Sequence, residues 1–205
     1  MRKLIILVLI ALSNNILAQD QIAKKILDRL QTSMKSYKNT TINFDFVLEN
    51  KNLNIKDTQT GTLILEGDKF QLIMDNQTII NNGETQWVYL ANMNEVQILQ
   101  HDVEDDMMNL NKLFSNYEED YKYTYVGNKK KHLQIINLYP KKSNEFFKIN
   151  IAIDSITDQL KRIVIHDKNG GTYTYLVKSF TTNTNIKPFI FDIDNFPGVE
   201  VIDLR

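Results

Sequence analysis

Four groups of residues in this chain have types and spacing that could do chemistry. Asp102, Glu104, Asp105 and Asp106 could hold a divalent cation, but they lack the alternating ligands and central glycine of a calcium loop. They precede Met107, Met108, Leu110, Leu113 and Phe114, so they read better as acidic residues at the dipole-positive start of one or two short helices. Glu118, Glu119 and Asp120 could pair as acid and base, yet three adjacent charges just before Tyr121 read as a solvated turn. His166 and Asp167 suggest part of a triad, but no serine sits in a G-x-S-x-G elbow, and the pair enters an Asn-Gly-Gly turn, which makes His166 a surface histidine. Lys129, Lys130 and Lys131 form the only basic run and read as a solvated hairpin tip, with anionic lipid headgroups as the alternative. None of the four supplies a catalytic centre.

Composition narrows the field further. The chain has 205 residues, 42% of them apolar and 10% aromatic, enough for one packed domain or two small ones. Its 24 basic and 25 acidic residues leave no surplus of positive charge for nucleic acid. With no cysteine and only His101, His132 and His166, thiol chemistry and disulfides are excluded and few metal ligands remain. The seven glycines (Gly61, Gly67, Gly83, Gly127, Gly170, Gly171, Gly198) fall at strand edges or turns, with no spacing that cradles phosphate. No cofactor, metal or catalytic residue is therefore expected.

The elements that remain are those of a sheet. Arg2 and Lys3, the apolar run Leu4 to Leu12, and a cut after Ala18 read as a secretory signal peptide over residues 1–18. The run is too short to cross a bilayer, and no lipid-attachment cysteine follows, so release rather than anchoring is expected. Loss of Arg2 and Lys3 leaves 22 basic against 25 acidic residues, a net charge of −3. Ile22, Ile26, Leu30, Met34 and Tyr37 then recur at helical spacing, with Asp20 as a cap. From Ile42, Phe44, Phe46 and Leu48 the period changes to two. Further strands are expected near Gly61 to Glu66, Lys69 to Met74, Thr78 to Ile80, Gln86 to Ala91, Glu95 to Gln100, Tyr121 to Val126, His132 to Tyr139, Phe146 to Asp154, Leu160 to His166, Thr172 to Phe180 and Val199 to Ile202. Short strands at close spacing imply antiparallel hairpins rather than βαβ units, and residues 19–205 form one domain.

The most numerous candidates for function are thus apolar. Phe44 with Phe46, Leu63 with Leu65, Phe70 with Leu72, and Trp87 with Tyr89 alternate along strands, while Met107, Met108, Leu110 and Phe114 lie in the helical segment. Such a set is either a filled core or the lining of a cavity that adapts to an acyl chain. Periodicity alone does not separate the two.

Several local patterns follow in order. After the opening helix and the strand Ile42 to Phe46, Gly61 to Leu65 runs into Lys69 and Phe70. Then come Asn82, Gly83, Glu84, Thr85, Gln86, Trp87, Val88 and Tyr89, followed by Glu95, Val96 and Gln97. Leu138, Tyr139, Pro140 and Lys141 form a later segment, and Phe191 with Phe196, Pro197, Gly198, Val199 and Glu200 closes the series. Together they resemble the LolA family of lipoprotein carriers, with its Asp/Asn-Gly-x-Thr-x-Trp-x-Tyr hairpin, its Leu-x-Pro-Lys segment and its closing Phe…Pro-x-Gly-Val pattern. The resemblance implies an unclosed antiparallel half-barrel of about eleven strands with helices over the open mouth. It also implies a monomeric, non-enzymatic periplasmic carrier that binds the acyl chains of lipoproteins. Its implied partners are acylated lipoproteins, an inner-membrane lipoprotein-releasing transporter and, where one exists, an outer-membrane receptor.

One departure stands out. The family's type examples carry Arg-Pro after the strand matching Leu63 to Leu65, and this arginine ties the lid to the sheet. Glu66, Gly67, Asp68 and Lys69 stand here instead, leaving Lys69 or Glu66 as the substitutes. On this reading Phe46→Glu and Leu65→Glu should each abolish lipid binding in a folded protein. A signalling or protein-interaction module on the same half-barrel is the rival from another class, and a secreted hydrolase is the third.

Overall fold

The computed structural model describes residues 20–100, 114, 116–130, 132–142 and 145–205. The expected signal peptide and the whole segment 101–113 lie outside them. A helix, α1, occupies 20–36. Twelve strands follow: β1 (Thr40–Asn50), β2 (Ile55–Glu66), β3 (Lys69–Met74), β4 (Gln77–Asn81), β5 (Thr85–Leu90), β6 (Glu95–Gln100), β7 (Tyr121–Lys130), β8 (Leu133–Pro140), β9 (Phe146–Asp154), β10 (Leu160–Asp167), β11 (Gly171–Thr182) and β12 (Glu200–Asp203). One helical turn, α2 (Tyr117–Asp120), precedes β7.

All twelve strands form one sheet in the order β12-β6-β5-β4-β3-β2-β1-β11-β10-β9-β8-β7. Two meanders, β1 to β6 and β7 to β11, join where β1 pairs with β11, and the edges β7 and β12 do not meet. The expected unclosed architecture is therefore the observed one, with twelve strands rather than about eleven.

Two features depart from the expected hairpin pattern. β2 begins at Ile55, six residues before the strand read from the sequence, because its first half pairs with the end of β1 yet is mostly exposed and polar. No apolar alternation marks such a stretch. β12 pairs with β6 in parallel, the chain leaving interior β11 and crossing the sheet to add β12 at the edge beside β6. A parallel partner needs a long crossover, and residues 183–199 supply it as an irregular strap containing one 3-10 turn, Ile193–Asn195.

Burial divides the sheet into two faces. On the inner face, Ala23, Ile26, Leu27, Leu30 and Met34 of α1 pack with strand residues of both meanders into one large core, among them Ile136, Leu138, Ile149 and Ile151. Ile22, expected on this helical stripe, is exposed, and Ala23 and Leu27 take the buried positions instead. On the outer face of β4 to β6, Phe189 and Phe191 of the strap pack against Ile80 and Val96 in a second cluster.

Asn39 anchors the strap. Its amide nitrogen donates to the Thr184 carbonyl at 2.8 Å and its amide oxygen accepts from the Thr184 backbone N–H at 2.9 Å. The Asn39 side chain is buried but Thr184 is exposed, so Asn39→Ala removes two hydrogen bonds whose Thr184 groups water can reach, at a cost of about 0.5–1.5 kcal/mol each. Urea titration should record that loss, and amide exchange should quicken in residues 183–190. An unchanged midpoint would show that the strap is held elsewhere.

Carboxylates close two of the turns. Asp154 accepts from the backbone N–H groups of Ile156 and Thr157, and Asp167 from those of Gly171 and Asn169 and from the Tyr173 hydroxyl. These donors hold both acids below the ordinary carboxylate range, the N–H of Ile156 and of Gly171 acting most strongly. A depressed folded pKa stabilises the fold above the unfolded value of about 3.9, and the gain disappears as pH falls through the lower folded value. Melting temperature should therefore drop below about pH 4, and less steeply in Asp167→Ala.

Candidate functional site

The inner face of β1 to β4 is built by register. Ile42 of β1 lies opposite Leu63 of β2, Leu63 opposite Leu72 of β3, and Leu72 opposite Ile79 of β4. One row along, Leu65 faces Phe70, while Phe44 and Met74 flank Gly61. Phe44, Leu63, Leu65, Phe70 and Leu72 are all buried in the cluster beneath α1. Phe114, just before α2, joins the same cluster, and its carbonyl accepts from Gln31 of α1 at 2.9 Å.

Phe46 differs from these. It is half-buried and packs against the edge of the cluster together with Met74, Ile79, Tyr175 and Ile165. Its ring centroid lies 5.1 Å from that of Tyr175 and 6.5 Å from that of Tyr173, and Phe44 meets Tyr175 edge-on at 5.6 Å. Burial pushes the Tyr175 hydroxyl up to about 12, so it stays a neutral, weakly polar member of an apolar strip. A continuous apolar surface results, closed beneath α1 and partly open around Phe46.

Trp87 and Tyr89 do not share this surface. Trp87 pairs with Ile80, one residue out of step with the row through Leu72 and Ile79, and a one-residue step reverses the face. Both pack in the outer cluster, where the Tyr89 ring lies 4.5 Å from Phe196 and 5.7 Å from Phe191. Met107, Met108 and Leu110 lie outside the described residues. The structure thus brings seven of the twelve expected lining residues to one face: Phe44, Phe46, Leu63, Leu65, Phe70, Leu72 and Phe114.

Sequence reasoning missed several members of this face. Tyr173, Tyr175 and Val177 alternate along β11, a readable signal, but which strand would lie beside β1 was not. Ile79 was hidden in a strand of five residues whose two isoleucines point to opposite faces.

Polar contacts tie α1 to α2. The Tyr117 hydroxyl donates to Asp28 at 2.5 Å, and Lys24 bridges Asp28 at 3.4 Å and also pairs with Glu118. Burial, then the bond to Asp28, pushes the Tyr117 hydroxyl well above its usual value. The expected substitutes for the latch lie elsewhere. Leu65 and Phe70 face inward, so the adjoining Glu66 and Lys69 fall on the opposite face, and both line a cleft beside the strap. His166 is half-exposed against Phe147, with burial and then Lys148 lowering its pKa, and Asp167 is spent on its own turn.

The profile of the family described as outer membrane lipoprotein carrier protein LolA matches residues 35–194. The chain belongs to the LolA family. Solved structures superpose on it to different extents. An uncharacterised conserved protein from Thermus thermophilus superposes with a TM-score of 0.55 at 12% identity, covering 88% of this chain and 98% of that one. The LolA superfamily protein NE2245 from Nitrosomonas europaea gives 0.46 at 14%, covering 84% and 98%. The Mycobacterium tuberculosis lipoprotein LppX gives 0.49 at 11%, covering 80% and 99%. A comparison with curated proteins gives no match. The LolA match takes in the last two residues of α1, the sheet from β1 to β11 and most of the strap, so it contains the strand residues of the inner face as well as the cleft.

Proposed function

We propose that this LolA-family chain is a carrier that takes the acyl chains of lipoproteins onto its inner face. The supporting observation is the apolar strip around Phe46, Met74, Ile79 and Tyr175, which continues into the buried cluster yet is only half covered. Lipid chains need such cover in water, because each methylene kept from it is worth roughly 0.8 kcal/mol. The carrier works in the periplasm after removal of residues 1–18, with residues 19–205 acting as one domain and without catalysis. The expectation that Met107, Met108 and Leu110 contribute to acyl binding is part of this proposal. An inner-membrane transporter supplies the lipoprotein, and an outer-membrane receptor accepts it where one exists. Among the described residues no helix is long and apolar enough to cross a membrane.

Native mass spectrometry of protein purified from its own compartment, followed by organic extraction, tests the reading. Acylated peptides in near-stoichiometric amounts are expected. An empty protein that also refuses acylated lipoprotein released from membranes would overturn the proposal and favour a protein-binding module.

A further inference from the structure

A cleft lies on the other side of the sheet. Where the strap leaves β11, it stands off from the turns of β2–β3 and β4–β5 and encloses a cleft of about 630 Å³. Lys38, Lys69 and Lys187 line it, together with Glu66 and Glu84. Glu66 and Lys69 are register partners, yet among the described residues none of these five charges reaches another within ion-pair distance. Three ammonium groups and two carboxylates therefore share one concavity without forming ion pairs with one another. Such an arrangement suits a ligand that carries both signs of charge.

The strap side of the cleft is different in kind. Ile186, Pro188, Phe189 and Ile190 line it, and Phe189 is buried while Ile190 is 61% exposed. An exposed isoleucine beside a polar cleft matches a ligand whose charged end is joined to an apolar body. Free phosphate would leave both the glutamates and Ile190 without a role. A bilayer phospholipid of the aminoalkyl phosphate type uses all of them, its phosphate meeting the lysines, its ammonium the glutamates, and its glycerol and acyl region Ile190.

We propose that the cleft beneath the strap is a docking site for a zwitterionic, amine-bearing phospholipid headgroup at a membrane surface. The site is opposite the inner face and stands whether or not that face carries acyl chains. Docking there would leave the inner face free to load or unload.

The test is co-flotation of the full secreted chain with vesicles of phosphatidylcholine, with and without phosphatidylethanolamine. Binding about tenfold tighter to the second is expected, because a quaternary ammonium has no N–H to donate to Glu66 and Glu84. Lys69→Glu with Lys187→Glu should abolish flotation, and Glu66→Gln with Glu84→Gln should remove the preference between vesicles. Ile190→Asp should lose the vesicles while keeping its chemical-shift response to soluble phosphoethanolamine. Phe46→Glu should float like the parent. Melting curves of the cleft variants should match the parent, since Lys69, Glu84, Lys187 and Ile190 are exposed and Glu66 half-buried. Equal binding to both vesicles, flotation that survives the double lysine change, flotation lost in Phe46→Glu, or inorganic phosphate binding as tight as the vesicles would each overturn the proposal.

Discussion

Phe46→Glu is expected to abolish uptake of an acylated ligand while the protein stays folded, whereas Leu65→Glu is expected to prevent folding. The two positions look equivalent along their strands, but the structure separates them. Leu65 is 2% exposed beneath α1, with Phe70 opposite it. A carboxylate placed there is an unpaired buried charge, and such charges cost about 3–5 kcal/mol, on top of the packing lost with the leucine. Total stability is commonly only about 5–15 kcal/mol, so little of the folded state would remain. At Phe46 the new carboxylate can turn toward water while the site is empty. It must give up that water only when an acyl chain lies against it. Stability should fall by about 1 kcal/mol, which moves the melting temperature by roughly 2–4 °C in a protein of this size. Affinity for a fluorescent fatty acid should fall at least about a hundredfold, equivalent to about 2.8 kcal/mol. Calorimetry and probe titration on the two variants would read both effects. A Phe46→Glu protein that still took up the probe with parental affinity would remove the inner face from the proposed function.

The same pair shows how far the sequence could be read. Alternation on β1, β2 and β3 located Phe44, Phe46, Leu63, Leu65, Phe70 and Leu72, because each of those strands is amphipathic in its own right. Alternation says which residues of one strand share a face, but it does not say which faces of different strands coincide. Phase is set by turn length and pairing, and Trp87 with Tyr89 came out of phase by one residue. The strap explains why no polarity signal warned of this. By covering β4 to β6 with Phe189, Phe191 and Phe196, it makes the outer face locally as apolar as the inner one. Long-range pairing was equally hidden. β1 meets β11 across more than a hundred residues, and a bulge between Asn43 and Phe44 shifts that pairing by one. Tyr175 reaches Phe46 only through it. The cleft beneath the strap had no sequence signature at all, since Lys38, Lys69 and Lys187 are far apart in the chain and converge only through the fold.

Gly61 is where the inner face has least tolerance, and Gly61→Val is expected to cost about 1–3 kcal/mol despite the higher strand propensity of valine. Gly61 sits in the middle of the sheet between Phe44 on β1 and Met74 on β3. The Phe44 ring lies across it, so a Cβ at this position would overlap the ring carbons. An aromatic ring covering a cross-strand glycine supplies the packing that the glycine lacks, and it also fixes where that ring points. Phe44 in turn meets Tyr175 edge-on, which places the ring at the border between the closed core and the half-open strip. A valine at position 61 must push Phe44 toward Tyr175 and Phe46, so two readouts should change together: a lower denaturation midpoint and weaker probe binding. Combining Gly61→Val with Phe44→Ala separates this mechanism from simple strain in β2. With the ring gone, the valine fills part of the vacated space, and the double variant should be more stable than the sum of the two single losses predicts by about 0.5–3 kcal/mol. Additive losses would mean that Gly61 is required by its own backbone and not by the ring above it.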